Sequence, residues 1–264
     1  IASTGWRFSY LMMGIAVLVL ALPALFFLRP PKDSDTDKGK FGAKFGQREI
    51  DLLPEASLGM VAIIKKRPFW TVMGSHVSDC LCHSVILVHL VPFAIESGVP
   101  KIQAASLLSA LGMGALAGRL AGGILSDRIG PKWALFISLT LQTLPIPLLL
   151  MSPSLPVLYL VAALVGVGLG GHGTMYPVIT REFYGPKRVG ILFGTFTAGA
   201  SVGMASGSFL GGVFHDLAGN YIPAFIFSFT MGIISLILVW IYPKRRPVSE
   251  GDSPVPRSES PSMA

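Results

Sequence analysis

His76, Asp79 and His83 stand at spacings of three and four in an apolar stretch, with Ser75 beside them. In a helix those spacings put all three on one face. Ionisable groups inside a membrane span are costly, so such a stripe should face the interior of a bundle and is a functional candidate by default. Three chemistries are open to it. A proton relay suits the residue types, because Asp and His each exchange protons once burial and mutual proximity shift their affinities. A structural polar contact near a helix end is the plainer reading. A metal site is the third, and no metal is expected, because the sequence shows no further strong ligand close by.

Three other side chains are candidates for binding a substrate. Arg119 lies eight residues before Asp127, hence about 12 Å deeper along a helix that meets the membrane surface there. A guanidinium at that depth must pair with a carboxylate or reach back to water. It is the expected partner of an anionic carboxylate substrate; the alternative is an interhelix hydrogen bond. His172 and Tyr176 sit four apart in a glycine-rich stretch, where either could donate to a substrate or simply pack. Asp127, Arg128 and Lys132, with Gly118, Gly122 and Gly130, form a different kind of candidate. An Asp near a helix terminus paired with a neighbouring cation would stabilise one conformational state and break in another, as a latch.

The elements that position these residues are membrane helices. The 264 residues are 52% hydrophobic and only 13% charged, with a mean hydropathy of +0.64. Apolar runs of about 18 or more residues read as bilayer spans. Seven are predicted, near 7–28, 69–95, 104–126, 133–151, 155–179, 189–213 and 222–242. Helices satisfy every backbone group internally, as lipid demands, so the fold class is all-α: a polytopic membrane helix bundle. Residues 29–67 read as a solvated cytoplasmic linker in which 54–65 could form a short surface helix, and 244–264 as a disordered cytoplasmic tail. Cys80 and Cys82 point to different helix faces and read as core packing.

The run GRLAGGILSDRIG at 118–130 returns as GSFLGGVFHDLAG at 207–219, an offset of 89 residues. Gly118/Gly207, Gly122/Gly211, Gly123/Gly212, Asp127/Asp216 and Gly130/Gly219 are identical, whereas Arg119, Arg128 and Lys132 become Ser208, Leu217 and Tyr221. A unit with three spans inverts each time it repeats, and basic residues belong on the cytoplasmic side. Loss of the charges and inversion of the unit therefore agree, and predict inverted three-helix repeats with the two aspartates at opposite faces. With the linker cytoplasmic, 19 of the 21 Lys and Arg fall on that side. This fixes orientation, and it explains the net charge of +7 without nucleic acid as a partner. Seven spans fit a three-helix repeat awkwardly. The expected organisation is one leftover span (1–28), the linker and a six-helix half (68–243), with an N-terminal half of the same transporter as the missing partner.

The 118–132 stretch resembles the cytoplasmic loop motif of the major facilitator superfamily, G-R-x-x-G-x-x-S-D-R-x-G-x-K/R, which lies between helices eight and nine of that family. Gly5-Trp6-Arg7 resembles the start of its sixth helix, and the 29–67 linker sits where its two halves join. Arg181-Glu-Phe-Tyr-Gly-Pro-Lys-Arg188 and the Gly211-to-Tyr221 pattern look most like the monocarboxylate-porter branch, near the oxalate/formate antiporters. The resemblance implies that Arg119 matches an arginine used for a substrate carboxylate. The exchangers carry lysine after Phe-Thr-Ala; here Phe196-Thr-Ala198 is followed by Gly199, which argues against a dianion such as oxalate.

The expected function is secondary active transport, by alternating access, of a small organic anion of the monocarboxylate class across the plasma membrane, with H+ as candidate coupling ion. Two rivals are a membrane-embedded enzyme holding a metal on His76, Asp79, His83 and His172, and a non-transporting sensor with the linker as output. No cofactor is expected, and the absence of a G-x-x-x-x-G-K-[ST] run leaves no ATP site.

Overall fold

A computed structural model describes residues 59–185 and 188–242, together with isolated helical positions between 8 and 22. The predicted first span, most of the linker, Lys187 and the tail lie outside the described residues. Residues 1–47 and 48–264 form separate compact units, and the helix bundle belongs entirely to the second.

The described residues of the bundle are helical throughout. A short helix α1 (Met60–Ile64) precedes α2 (Arg67–Glu96), α3 (Lys101–Ile129), α4 (Pro131–Thr143), α5 (Ile146–Met151), α6 (Leu155–Tyr184), α7 (Val189–Ala218) and α8 (Ile222–Trp240). Taken with α4 and α5 as one span, six helices among the described residues are long and apolar enough to cross a membrane. Proline near the start of α2, α4, α6 and α8 costs no hydrogen bond there and presets the helical φ. Pro145 separates α4 from α5 because it offers no N–H and crowds the preceding turn. Two helices run further than their hydropathy predicts: α6 continues through Arg181 to Tyr184, and α7 carries His215 and Asp216 in its last turn.

The repeat is visible in the packing. Helices α2 and α6 are each 30 residues long and open the two triplets. The second helix of each triplet packs on the first helix of the other, α3 on α6 and α7 on α2. The seams are made of the matched glycines. A Cβ on Gly114 would meet Ala163 O at 2.4 Å and one on Gly118 would meet Val167 O at 2.0 Å. Their counterparts Gly203 and Gly207 would meet Val77 O at 2.7 Å and Leu81 O at 2.6 Å. Without lipid-driven hydrophobic association, such backbone-to-backbone approach supplies the contact. Gly130 and Gly219 end α3 and α7 with φ of +87° and +69°, a region costly for any side chain.

The two ends of the bundle are distinct. At one, Lys132 Nζ donates to Trp240 O at 2.9 Å and Tyr242 O at 3.0 Å. At the other, His215 Nε2 approaches Glu96 Oε1 at 3.1 Å. Asp127 belongs to the first end and Asp216 to the second, so the matched aspartates lie at opposite ends of the bundle.

Two apolar cores divide the interior. One gathers Val85, Ile86 and Leu90 of α2, Leu158 to Val165 of α6, Ile146 and Phe225. The other gathers Phe69, Val72, Leu135, Leu139, Met175, Tyr176 and Phe196. Between them, at the middle of α2 and α6 and at the end of α4, lies a thin polar layer.

Candidate functional site

Asp79 is the centre of that layer and is fully buried. The α2 stripe presents it toward α4 and α6, with His76 and His83 on the same face. His172 comes from α6, and its Nε2 lies 3.1 Å from Asp79 Oδ2. His83 Nδ1 lies 3.8 Å from Asp79 Oδ1. Gln142, buried on α4 just before the Pro145 break, donates its amide to Asp79 Oδ1. Three helices thus converge on one carboxylate.

The imidazoles are placed by their surroundings. His172 Nδ1 is 3.3 Å from Gly168 O, and only a ring N–H can satisfy a carbonyl, so Nδ1 carries the hydrogen. In the neutral ring Nε2 then offers a lone pair to Asp79 Oδ2, which accepts no well-directed hydrogen bond. Two acceptors facing each other at this distance need a cation between them. His83 has no hydrogen-bond partner on either ring nitrogen. Its ring stands 5.4 Å from that of His172. His76 stacks on Tyr176 with centroids 3.9 Å apart, and Tyr176 Oη is likewise without a hydrogen bond. Ser75, on the same stripe, shares a hydrogen bond with Tyr242.

The structure therefore joins two groups that sequence reasoning kept apart. His76, Asp79 and His83, expected to handle protons, and His172 and Tyr176, expected to meet substrate, form one buried cluster. Arg119 stands outside it, on an exposed side of α3, and forms no hydrogen bond or ion pair among the described residues. Asp127 and Arg128 are exposed at the end of α3, and Asp127 has no ion pair among the described residues. Lys132, one of the two candidate latch cations, is engaged with the carbonyls at the end of α8. In this conformation Asp127 pairs with neither neighbouring cation, and the α8 terminus, rich in unsatisfied carbonyls, engages the Lys132 ammonium. Gly118 and Gly122 are seam glycines, where a Cβ on the latter would meet Gly171 Cα at 3.1 Å, and Gly130 is the turn.

Sequence reasoning missed Gln142. The signal was a polar amide within an apolar span, next to a helix-breaking proline. It also missed that His83 and His172 are partners under the 89-residue offset, the same offset that relates the glycines. Equivalent positions of inverted repeats meet where the repeats face each other.

Comparison with known proteins agrees with this architecture. The family model described as Major Facilitator Superfamily matches residues 81–264. The chain is 26% identical over 253 residues to Monocarboxylate transporter 2 of Mesocricetus auratus, covering 90% of this chain and 52% of that protein. It is 30% identical over 160 residues to Monocarboxylate transporter 12 of Rattus norvegicus, covering 59% of this chain and 33% of the relative. The chain thus spans about half the length of the first relative and a third of the second. Among solved structures, an auto-inhibited POT family peptide transporter superposes with a TM-score of 0.59 at 17% identity, covering 67% of this chain and 37% of that one; at that identity the likeness concerns the fold alone.

Proposed function

Because the chain belongs to the Major Facilitator Superfamily and is a multi-pass membrane protein, we propose that it is one half of a secondary transporter that moves a small monocarboxylate by alternating access, coupled to H+. The observation that carries this reading is the buried Asp79–His172 contact in the middle of the spans, reaching between the opening helices of the two repeats. Similarity to monocarboxylate transporters supports the substrate class.

In this reading a proton between His172 Nε2 and Asp79 Oδ2 neutralises a carboxylate that the interior cannot otherwise hold charged. Losing it leaves two acceptors opposed, and α2 and α6 separate at that level. The pair thereby biases a two-state bundle, since each access state binds the proton with different affinity. His76 and His83 relay the proton along α2. Arg119 receives the substrate carboxylate from the exposed side of α3, with His172 and Tyr176 behind it. The least buried spans, α3 and α7, face a second six-helix bundle, consistent with the greater length of the relatives. The asymmetry of basic residues supports a cytoplasmic Lys132 end in the plasma membrane.

Uptake of labelled lactate, pyruvate and oxalate into proteoliposomes carrying the complete transporter, at two external pH values, tests this. Monocarboxylate uptake should rise with an inward proton gradient, and Asp79→Asn should abolish the gradient response. Absence of uptake for every monocarboxylate discards the substrate class; uptake indifferent to pH removes the coupling.

A further inference from the structure

We propose that Asp79, His83 and His172 form a binding site for a zinc-class divalent metal ion. One ligand atom from each residue lies within 4.8 Å of the others; His172 Nε2 is 3.1 Å from Asp79 Oδ2, and His83 Nδ1 is 3.8 Å from the other carboxylate oxygen, Oδ1. Ligands about 2.0–2.2 Å from a tetrahedral zinc ion stand roughly 3.3–3.5 Å from one another, so small side-chain rotations bring the three into register.

The orientation of the groups argues for an ion rather than for polar packing alone. Both ring nitrogens of His83 and Oδ2 of Asp79 are buried without hydrogen bonds, and a buried polar atom left so is costly. Each of the other atoms is committed to an outer partner. His172 Nδ1 faces Gly168 O, which leaves Nε2 free to ligate. Gln142 holds Asp79 Oδ1, which leaves Oδ2. A histidine fixed by a backbone carbonyl and a carboxylate fixed by an amide are the outer supports that metal ligands carry.

Donor type selects the ion. Two imidazole nitrogens and one carboxylate oxygen suit Zn2+, Co2+ or Ni2+, whereas Mg2+ and Ca2+ require mostly oxygen. Three protein ligands leave a fourth position for water or another small donor. The ligands come from α2 and α6, so the ion links the two repeats and occupies the position of the proton in the transport cycle. The site itself does not depend on transport, because the geometry of the side chains defines it.

The test is Co2+ binding to the complete, tag-free transporter after treatment with EDTA. One Co2+ per chain should bind saturably, with the strong visible absorption of four-coordinate cobalt, and Zn2+ should displace it. His83→Ala and His172→Ala should each weaken binding at least tenfold, and Gln142→Ala about 10–100-fold, as for outer-shell partners elsewhere. His89→Ala, on the same helix but bonded to Ser208 O, should leave it unchanged. No saturable cobalt spectrum, or one unaffected by both histidine replacements, overturns the site. Should those variants not fold, X-ray absorption of the zinc-loaded wild-type protein decides: two imidazole nitrogens in the inner sphere uphold the assignment, and an all-oxygen sphere rejects it. Proton-driven uptake is read separately, so failure of transport and failure of metal binding remain distinguishable.

Discussion

His83 and His172 are 89 residues apart in the chain and face each other across Asp79 with their rings 5.4 Å apart. They occupy matched positions in the opening helices of two inverted repeats. A single carboxylate, present in only one repeat, breaks the symmetry between them. Gly168, in the second repeat, stands where the 89-residue offset places Asp79, and its carbonyl holds His172 rather than supplying a second acid. Duplication thus gives two equivalent histidines, and divergence gives them different partners.

Removing one member of a buried charge pair leaves the other uncompensated, at a cost of about 3–5 kcal/mol, whereas removing both is far less costly. His172→Ala should therefore destabilise the protein more than the Asp79→Asn/His172→Ala double variant does. Thermal unfolding in detergent, arranged as a double-mutant cycle, reads the coupling; additive effects would mean that the two side chains do not interact.

Much of the bundle was legible in the sequence, because lipid imposes a simple rule: continuous apolar runs must be helices. The repeat was legible because glycines at a seam and at a positive-φ turn admit few replacements. The ends of α6 and α7 were not, since Arg181 and His215 are polar residues in helical turns beyond the apolar run, and hydropathy stops where polarity starts while hydrogen bonding does not. The α2 stripe could be read as one face, yet its partners on α4 and α6 could not, because spacing reports only neighbours on the same helix. Applying the repeat offset to histidines as well as glycines would have paired His83 with His172. Nothing local could have shown Lys132 reaching the α8 terminus, a contact between residues 108 positions apart.

Lys132 ties the start of α4 to the end of α8. Its Nζ satisfies the carbonyls of Trp240 and Tyr242, and Trp133 packs edge-on against Trp240 at 5.7 Å. Lys132→Met removes the donor but keeps the apolar stem. Amide exchange at the end of α8 should accelerate and tryptophan fluorescence should shift, while α3 and α6 remain as protected as before. Unchanged exchange at 239–242 would show that the ammonium does not hold this end.

At the opposite end, His215 lies between Glu96 Oε1 at 3.1 Å and Asp216 Oδ1 at 3.3 Å, and its ring packs on Tyr221 at 4.2 Å. The Asp216 carboxylate, with Glu96 beside it, holds the imidazole's pKa above the ordinary histidine value near 6.5, so the ring stays charged to higher pH than a free histidine. The ionic clasp between α2 and α7 should accordingly be complete in acid and lost as pH rises. Since the groups are solvent-exposed, salt screens them and the effect on melting is small. A cysteine pair reporting the distance between the ends of α2 and α7 should open as pH rises past the ordinary histidine value, later than for a free imidazole because the His215 pKa is raised, and Glu96→Gln should weaken this response. A distance independent of pH in the wild-type protein would exclude the clasp.

The seam glycines allow the most direct test of the repeat itself. Gly118 and Gly207 are counterparts, and a Cβ on either would enter the backbone of the facing helix, Val167 O at 2.0 Å or Leu81 O at 2.6 Å. Gly123 belongs to the same motif but has nothing within 4 Å of the position of its Cβ. Overpacking a close contact costs about 1–3 kcal/mol. Gly118→Ala and Gly207→Ala should therefore both lower the melting temperature, and Gly123→Ala, in a helix interior where Ala is the better residue, should hold or raise it. The steric clash is with backbone in both seams, so neither can be relieved by a rotamer change, and the two helices must move apart. A Gly118→Ala variant as stable as wild type, or a Gly123→Ala variant as damaged as Gly118→Ala, would mean that the recurrence of these glycines in both repeats reflects something other than helix approach.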